Sequence, residues 1–243
     1  MQAPIAEQRA LLELQAHDSA IDRLDHRRAS LPEDARLAEL GDALAAVDQL
    51  TAERDGNLAT VQRDQSRLEH EIDMVTSKAR TEEARAASGK VTSPKELTAI
   101  QEEVASLKRR QGTLEDELLE LMEQRETLEG EVAELASRRE GFAAEQATVT
   151  KARDAALAEI DQELDGERKA RDGVAPGVGE QLRALYDQIR ARQGGGVGAA
   201  ALVGNTCQGC RVSISPVELA ALRKLPPEEI KRCENCRRIL VVQ

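Results

Sequence analysis

Four cysteines near the C-terminal end are the residues whose type and spacing point most directly to chemistry. They form two pairs, Cys207-Gln-Gly-Cys210 and Cys233-Glu-Asn-Cys236, separated by residues 211–232. A two-residue gap lets the backbone turn tightly enough for both thiolates to reach one ion, and two such knuckles complete a tetrahedral Zn²⁺ site. Because sulfur fills all four positions, the spacing predicts one structural zinc ion with no place for a catalytic water. Two disulfides or unrelated thiols are the alternatives, and nothing else in the chain suggests the oxidising compartment that disulfides need.

The rest of the composition indicates long helices rather than an ordinary globular core. The 243 residues include one Phe, one Tyr and no Trp, while 33% are charged and the formal net charge is −11. That profile is typical of a coiled coil. The first 20 residues carry charges and lack the apolar run of a secretory signal, and no stretch is apolar over the length that a bilayer requires. We therefore expect a cytoplasmic protein that makes no membrane contact.

The charge is distributed unevenly along the chain. Residues 199–243 contain seven Lys or Arg against four Glu, whereas the chain as a whole is strongly acidic. A contact with phosphate groups is therefore expected in this C-terminal segment. The candidate contact residues lie beside the two knuckles: Arg211, Lys231, Arg232, Arg237 and Arg238. The segment has no aromatic side chain on which a base could stack, and simple solvation of these cations is the alternative.

Apolar residues recur every seven positions over two long stretches. The clearest row is Ile100, Leu107, Leu114, Leu121, Leu128, Leu135, Phe142 and Val149. A second seam, upstream, includes Leu40, Val47, Val61, Leu68 and Val75. Sustained heptads with charged flanks predict coiled coil, whose apolar stripe must meet a partner helix.

The interval between the two seams predicts that the chain folds back on itself. Residues 86–94 lose the heptad, and Ser93-Pro94-Lys95-Glu96 has the sequence of a capping box that starts a new helix. An antiparallel pair with residue i opposite about residue 180 − i would have a second arm roughly 115 Å long. Pro32 predicts a break near residues 31–34, with helices at about 4–30 and 33–86. An intermolecular coiled coil is the rival arrangement, and we expect a monomer or weak dimer.

The sequence thus predicts a mainly α protein, a long antiparallel coiled-coil hairpin with a small zinc-ribbon module. The expected division is a hairpin at 1–172, a short helix and glycine-rich linker at 173–198, and a zinc ribbon at 199–243. Within the ribbon we expect strands at 201–203, 211–214 and 239–242, and a helix that Ser215 caps and that ends near Lys224. With about 45 residues and no aromatics, this module depends on its metal for folding.

Together these features resemble the bacterial four-cysteine zinc-ribbon, coiled-coil proteins. The resemblance is carried by the hairpin, the Ser93-Pro-Lys-Glu-Leu97 and Gln101-Glu-Glu103 stretches after the turn, and the segment from Cys233 to Leu240. The family usually has Gly after its last cysteine, where this chain has Arg237, and that position suits a left-handed backbone. The resemblance implies a non-enzymatic binding or adaptor protein, with partners among transcription-associated factors, flagellar or secretion machinery, or nucleic acid.

The ribbon and the hairpin tip are the two places where this protein could bind a partner, and they support three hypotheses about its function. The first is an adaptor that holds protein partners with its zinc ribbon and its hairpin tip, where Lys90, Ser93, Pro94 and Lys95 lie. The second is nucleic-acid binding through the basic ribbon. The third is a factor whose tip delivers carboxylates to a polymerase active site, which residues 86–95 disfavour because they contain no Asp or Glu. An enzyme or a small-molecule substrate is not expected, since no nucleophile–base pair or open metal site is evident.

Overall fold

The structure is a computed structural model that describes residues 1–192 and 196–242. The helices are α1 (Ile5–Ala29), α2 (Pro32–Ala87), α3 (Pro94–Val174), α4 (Glu180–Arg192) and α5 (Pro216–Lys224), with a 3₁₀ turn at Ala175–Gly177. The strands are β1 (Ala199–Val203), β2 (Thr206–Cys207), β3 (Lys231–Arg232) and β4 (Ile239–Val242). In this part of the chain, no helix combines the length and the apolar composition needed to cross a membrane. The mainly α class predicted from the sequence is confirmed.

Proline and glycine set the helix boundaries where the sequence predicts them. Helix α1 ends at Ala29, and α2 begins at Pro32, whose missing N–H would have no partner in a first turn anyway. At the hairpin tip, α2 ends at Ala87 and α3 begins at Pro94. The turn between them includes Gly89 with φ of 68°, a conformation that glycine adopts without steric cost.

Residues 36–149, here called the hairpin arm, form one compact unit in which α2 packs antiparallel to α3. On α3 the predicted heptad row is buried at Ile100, Leu114 and Leu135 and half-buried at its other positions. Leu40 and Val47 are buried on α2. The heptad prediction is confirmed, and the partner helix belongs to the same chain.

Ion pairs between the two helices define the register of the arm. Arg36 pairs with Glu145 at 2.6 Å, and Lys78 pairs with Glu103 at 2.8 Å. The predicted register places residue 102 opposite Lys78, whereas the actual partner is Glu103, so the prediction is wrong by one residue. These charges are exposed, so solvent screens each pair and it contributes little to stability.

The described residues of 1–35 and 150–243 form a second compact unit, here called the base. Its main core joins side chains from helices and strands that are far apart in sequence. Leu11 and Leu14 come from α1, Tyr186 comes from α4, and Ile239 and Val241 come from β4. The zinc-ribbon segment therefore shares its core with the helices beside it.

A four-stranded sheet in the order β2-β1-β4-β3 forms the centre of the C-terminal segment. β1 and β4 are parallel, with Ala199 opposite Ile239, while β2 and β3 pair antiparallel to their neighbours. The first residues of the chain extend this contact, because the N–H of Ala3 donates to the carbonyl of Glu228 at 2.7 Å. An isolated bridge also joins Gln2 to Glu229. The sequence did not predict this pairing of residues 1–3.

The strands of the C-terminal segment differ in part from those predicted. The strand expected at residues 211–214 is wrong, because only a single bridge between Ser213 and Thr206 forms there. Arg211, with φ of 62°, turns the backbone out of the extended region. The predicted glycine-rich linker falls partly on residues 193–195, which lie outside the described residues. The division at 172 and 198 stays a prediction, although the main core of the base includes residues on both sides of each boundary.

Candidate metal centre

The four cysteine side chains meet at one place in the ribbon. The Sγ atoms of Cys207 and Cys236 are 3.9 Å apart, as are those of Cys210 and Cys233, and all four lie within 4.8 Å of one another. Each of these two contacts joins one knuckle to the other. None of the four forms a disulfide bond. The fold thus brings together the residues that the spacing singled out.

The two knuckles have the same backbone geometry although their sequences differ. The N–H of Arg211 donates to the carbonyl of Cys207 at 2.7 Å, and the N–H of Arg237 donates to that of Cys233 at 2.8 Å. Arg211 and Arg237 both have φ of 62°. A left-handed backbone costs a non-glycine residue about 1 kcal/mol. Sequence reasoning anticipated this conformation at Arg237 and missed it at Arg211.

Hydrogen bonds to sulfur set the electrostatics of the cluster. The backbone N–H of Val212 and the side chain of Asn235 donate to Cys210 and lower the pKa of its thiol to about 6. Burial raises the pKa of the other three thiols, which also accept backbone hydrogen bonds that favour the thiolate. Metal binding requires thiolates, so these N–H groups prepare the cluster to receive a cation.

The geometry of the cluster fits a zinc ion. Four Zn–S bonds of about 2.3 Å in a tetrahedron separate the sulfur atoms by about 3.8 Å. This is close to the 3.9 Å of the Cys207–Cys236 and Cys210–Cys233 pairs. Thiolates are soft ligands that suit Zn²⁺. Since all four positions are sulfur, a bound ion would stabilise the fold and would have no position for water or substrate.

Arg238 ties the second knuckle to the first. Its Nε donates to the carbonyl of Val197 at 2.7 Å, and its Nη1 donates to that of Gly209 at 2.8 Å. A Cβ at Gly209 would lie 2.8 Å from the Arg238 side chain, so the close approach requires glycine. Arg238 was one of the predicted contact residues, and its guanidinium is instead used inside the ribbon.

The other predicted contact residues divide into two groups. Lys231 is only 6% exposed, and its Nζ donates to the carbonyl of Pro226 at 3.2 Å. It is therefore not part of an open surface, contrary to the expectation from its charge. Arg211, Arg232 and Arg237 are exposed. These three keep the predicted contact role, which stays a prediction.

The hairpin tip presents the predicted residues to solvent. Lys90, Ser93, Pro94 and Lys95 are all exposed. Below them, Arg85 pairs with Glu96 at 2.7 Å across the two helices. The tip is thus a small cationic surface on a protein of acidic composition.

A buried network around Asp18 is a feature that sequence reasoning missed. Asp18 is 2% exposed and accepts hydrogen bonds from the hydroxyl of Tyr186 at 2.6 Å and from Nε of Arg171 at 2.7 Å. Arg190 lies against the same carboxylate and also pairs with Asp22. Burial, followed by the hydrogen bond to Asp18, raises the pKa of Tyr186. The sequence does contain a signal for this network: Asp18 lies on the same helix face as Leu11 and Leu14, so its carboxylate faces the core.

A second polar contact holds the chain at the entry to the ribbon. The Oε1 atom of Gln15 accepts hydrogen bonds from the N–H of Gly198 at 2.6 Å and from that of Ala199 at 3.2 Å. A Cβ at Gly198 would lie 2.8 Å from the ring of Tyr186. The first strand of the ribbon is therefore fixed to α1 and α4 where it begins.

The comparisons with known proteins agree with this architecture. Residues 14–194 match the family model of the CT398-like coiled coil hairpin domain, and residues 206–240 match that of the C4-type zinc ribbon domain. The chain belongs to the CT398-like coiled-coil hairpin family. The family resemblance predicted from the sequence is confirmed, and so is the hairpin.

Relatives and solved structures support the same assignment. An uncharacterized protein of Mycobacterium tuberculosis is 36% identical over 248 residues, which cover 99% of this chain and 97% of the relative. A solved structure from Mycobacterium smegmatis is 34% identical, with a TM-score of 0.87 over all of both chains. The structure of CT398 from Chlamydia trachomatis is 18% identical, with a TM-score of 0.71 over 98% of both chains, and shows the shared fold.

Proposed function

We propose that this protein is a non-enzymatic, cytoplasmic adaptor that one zinc ion stabilises and that binds macromolecular partners. The observation that carries the proposal is the closed cluster formed by Cys207, Cys210, Cys233 and Cys236. A Zn(Cys)₄ site has no open position for chemistry and serves to hold a surface in shape. Zinc would then fix the ribbon as a rigid binding surface.

The proposed binding surfaces are the ribbon face and the hairpin tip. The ribbon face contributes the exposed cations Arg211, Arg232 and Arg237, and the tip contributes Lys90 and Lys95. Both are positive surfaces on an acidic protein. Charge of opposite sign on a partner would steer its approach to either surface.

Charge-reversal variants test the proposal more cleanly than a truncation. Deleting everything after Arg192 would remove β1 and β4, and the core residues Leu11 and Leu14 would lose their neighbours. We suggest instead crosslinking and pull-down from cells of the full chain carrying Arg211, Arg232 and Arg237 changed to Glu. A second variant carries Lys90→Glu and Lys95→Glu.

A matched control is the double variant Lys151→Glu and Lys169→Glu, which reverses two exposed lysines of α3 outside both surfaces. We expect at least one surface variant to lose most of a partner that the control retains. Full retention of every partner by both surface variants would contradict the proposal.

Nucleic-acid binding is a second candidate, favoured by the exposure of Arg211, Arg232 and Arg237 around the knuckles. Three phosphate contacts on duplex DNA predict that log K falls with log salt with a slope of about −2.7. The variant with all three changed to Gln should remove most of that slope. Binding whose affinity does not depend on salt would exclude this mechanism.

A further inference from the structure

A groove of about 530 Å³ opens between the start of α1, the sheet and the end of α5. Its floor includes Leu202 and Val241, which are buried. Its rim carries Ile5, Leu225 and Val242, which remain between 37% and 47% exposed. A buried apolar floor with exposed apolar side chains at its rim is suited to receive the apolar side chains of a ligand.

The charged residues of this groove are all cations. They are Arg9, Arg223 and Lys231, and none of the described residues that line the groove is Asp or Glu. This contrasts with the net charge of −11 for the whole chain. Arg9 and Arg223 are exposed, and neither forms an ion pair within the part of the chain that the structure describes. The groove is therefore a positive surface that attracts acidic groups.

Lys231 is the buried cation of the groove, and it indicates most directly that the ligand carries a negative charge. An ammonium group carries three hydrogen-bond donors, and Lys231 uses one of them, toward the carbonyl of Pro226. No carboxylate in residues 1–192 or 196–242 pairs with it. Lysine is seldom this buried unless paired, because an uncompensated buried charge is costly. Lys231 lines the groove, so an anion bound there would lie beside this residue.

The wall beside Lys231 is held in place before any ligand arrives. The side chain of Gln8 is buried, and its Nε2 donates to the carbonyls of Ala3 at 2.9 Å and Pro227 at 3.0 Å. These bonds join the start of α1 to the segment that leads into β3. A site whose walls are already fixed loses less entropy on binding.

We propose that this groove binds an acidic, apolar peptide segment of a partner protein, with one carboxylate paired to Lys231 and apolar side chains against Leu225 and Val242. The inference rests on the proposed adaptor function and gives the chemistry of its partner. A nucleic acid would pair with the cations but would leave the apolar rim unused. Among the described residues that line the groove, none is aromatic, so a base would have no ring on which to stack. A peptide with both carboxylates and apolar residues uses both features.

The test uses the zinc-loaded full chain and a displayed library of random peptides of about 12 residues. Peptides that are selected are synthesised with a fluorescent label, and their Kd is measured for the wild-type protein and for Lys231→Met. Methionine keeps the length and apolar stem of lysine and removes its charge. The matched control is Lys224→Met, which removes an exposed lysine beside the groove that does not line it.

We expect the selected peptides to combine Asp or Glu with Leu, Ile or Val. Their affinity should fall at least about tenfold with Lys231→Met, because a buried charge pair loses one partner, and should stay within about twofold with Lys224→Met. Changing the acidic residues of a peptide to Asn and Gln should remove the effect of Lys231→Met. Selected peptides without acidic residues, or an affinity that Lys231→Met leaves unchanged, would overturn the inference.

Other outcomes separate this inference from the proposed function. A competition experiment adds vesicles of phosphatidylcholine and phosphatidylglycerol, or single-stranded DNA, to the labelled peptide bound to the protein. If either competitor displaces the peptide, and if Leu225→Asp weakens the binding of that competitor as much as the binding of the peptide, the groove is a lipid or nucleic-acid site and the inference is overturned. Partner loss in the ribbon-face or tip variants, together with a groove that rejects acidic peptides, would retain the adaptor function and discard the groove. Partner retention in those variants, together with a groove that rejects acidic peptides, would contradict the adaptor function as well, since neither set of variants changes a residue that lines the groove.

Discussion

The hairpin arm and the base are built from the same kinds of residue but are stabilised in different ways. In the arm, Asp48 and Arg139 form a salt bridge of 2.7 Å whose carboxylate side chain is 53% exposed. In the base, Asp18 and Arg171 form one of the same length, and the carboxylate side chain is 2% exposed. Distance is equal and burial is not. The comparison shows that the contribution of an ion pair to stability depends on the groups packed around it, because solvent screens the exposed pair.

The largest effect should come from the metal cluster of the base. Cys233→Ser removes one of four ligands, and structural zinc contributes on the order of 10–16 kcal/mol. Because Ile239 and Val241 complete the core around Leu11 and Leu14, we expect faster amide hydrogen exchange in α1 and α4 as well as in the ribbon. Exchange in residues 36–149 should be unchanged.

Glu234→Ser is the control for this experiment, since it changes an exposed neighbour in the same knuckle. It should leave the exchange of both units at wild-type rates. Wild-type protection of α1 in the Cys233→Ser protein would show that the base does not depend on the ribbon.

The next effect compares the two salt bridges directly. Asp18→Asn removes the buried carboxylate that pairs with Arg171 and leaves Arg190 with Asp22 alone. It should lower the local free energy of opening by about 3–5 kcal/mol. Asp48→Asn breaks the exposed pair and should cost about 0.2–1 kcal/mol. Hydrogen exchange of α1 and of α2 gives both values. Equal losses would contradict the role assigned to burial.

The hydroxyl of Tyr186 offers a pH test of the same network. Its pKa is raised in the folded protein, so the stabilisation is present below the ordinary tyrosine pKa of about 10 and is lost as pH rises above it. Tyr186 is the one tyrosine of the chain, which has no tryptophan. Phenolate absorbance should therefore appear above pH about 10 only as the base unfolds.

Tyr186→Phe keeps the ring and removes the hydrogen bond to Asp18, at a cost of about 1.5–3 kcal/mol. The variant should also lose the part of the alkaline destabilisation that belongs to this hydroxyl. Phenolate formation in the fully protected native protein near pH 10 would argue against the buried network.

The smallest effect concerns the backbone of the knuckles. Arg237→Gly relieves a left-handed conformation, and Arg237→Ala retains it while also removing the guanidinium. The glycine variant should exceed the alanine variant in stability by about 1 kcal/mol, which corresponds to about fivefold in zinc affinity measured by competition with a chelator. Equal affinity of the two variants would indicate that the knuckle relaxes.

The sequence predicted the features that repeat or that depend on local chemistry. Heptads located the seam of the arm, Pro32 marked a break between helices, and Pro94 marked a helix start. The cysteine spacing located the metal cluster. It could not predict contacts that arise only from packing distant segments. The residues next to Asp18 in sequence do not indicate that Tyr186 is its partner. The charge of Lys231 suggested that it lies on the surface, whereas packing of distant segments buries it. For the same reason, the pairing of residues 1–3 with the segment before β3 was missed.

One of those long-range contacts has a consequence for how the protein is made. Gln8 bonds to Pro227 across 219 residues of sequence, whereas the arm pairs helices that are joined by a short turn. Translation proceeds at about 5–20 residues per second, and domains fold as units when they emerge. The two helices of the arm can therefore pair while the chain is still being synthesised on the ribosome. Helix α1 can complete its packing only after the last strands have been synthesised. During that delay Leu11 and Leu14 stay uncovered, and a chaperone that shields apolar segments has its longest opportunity there.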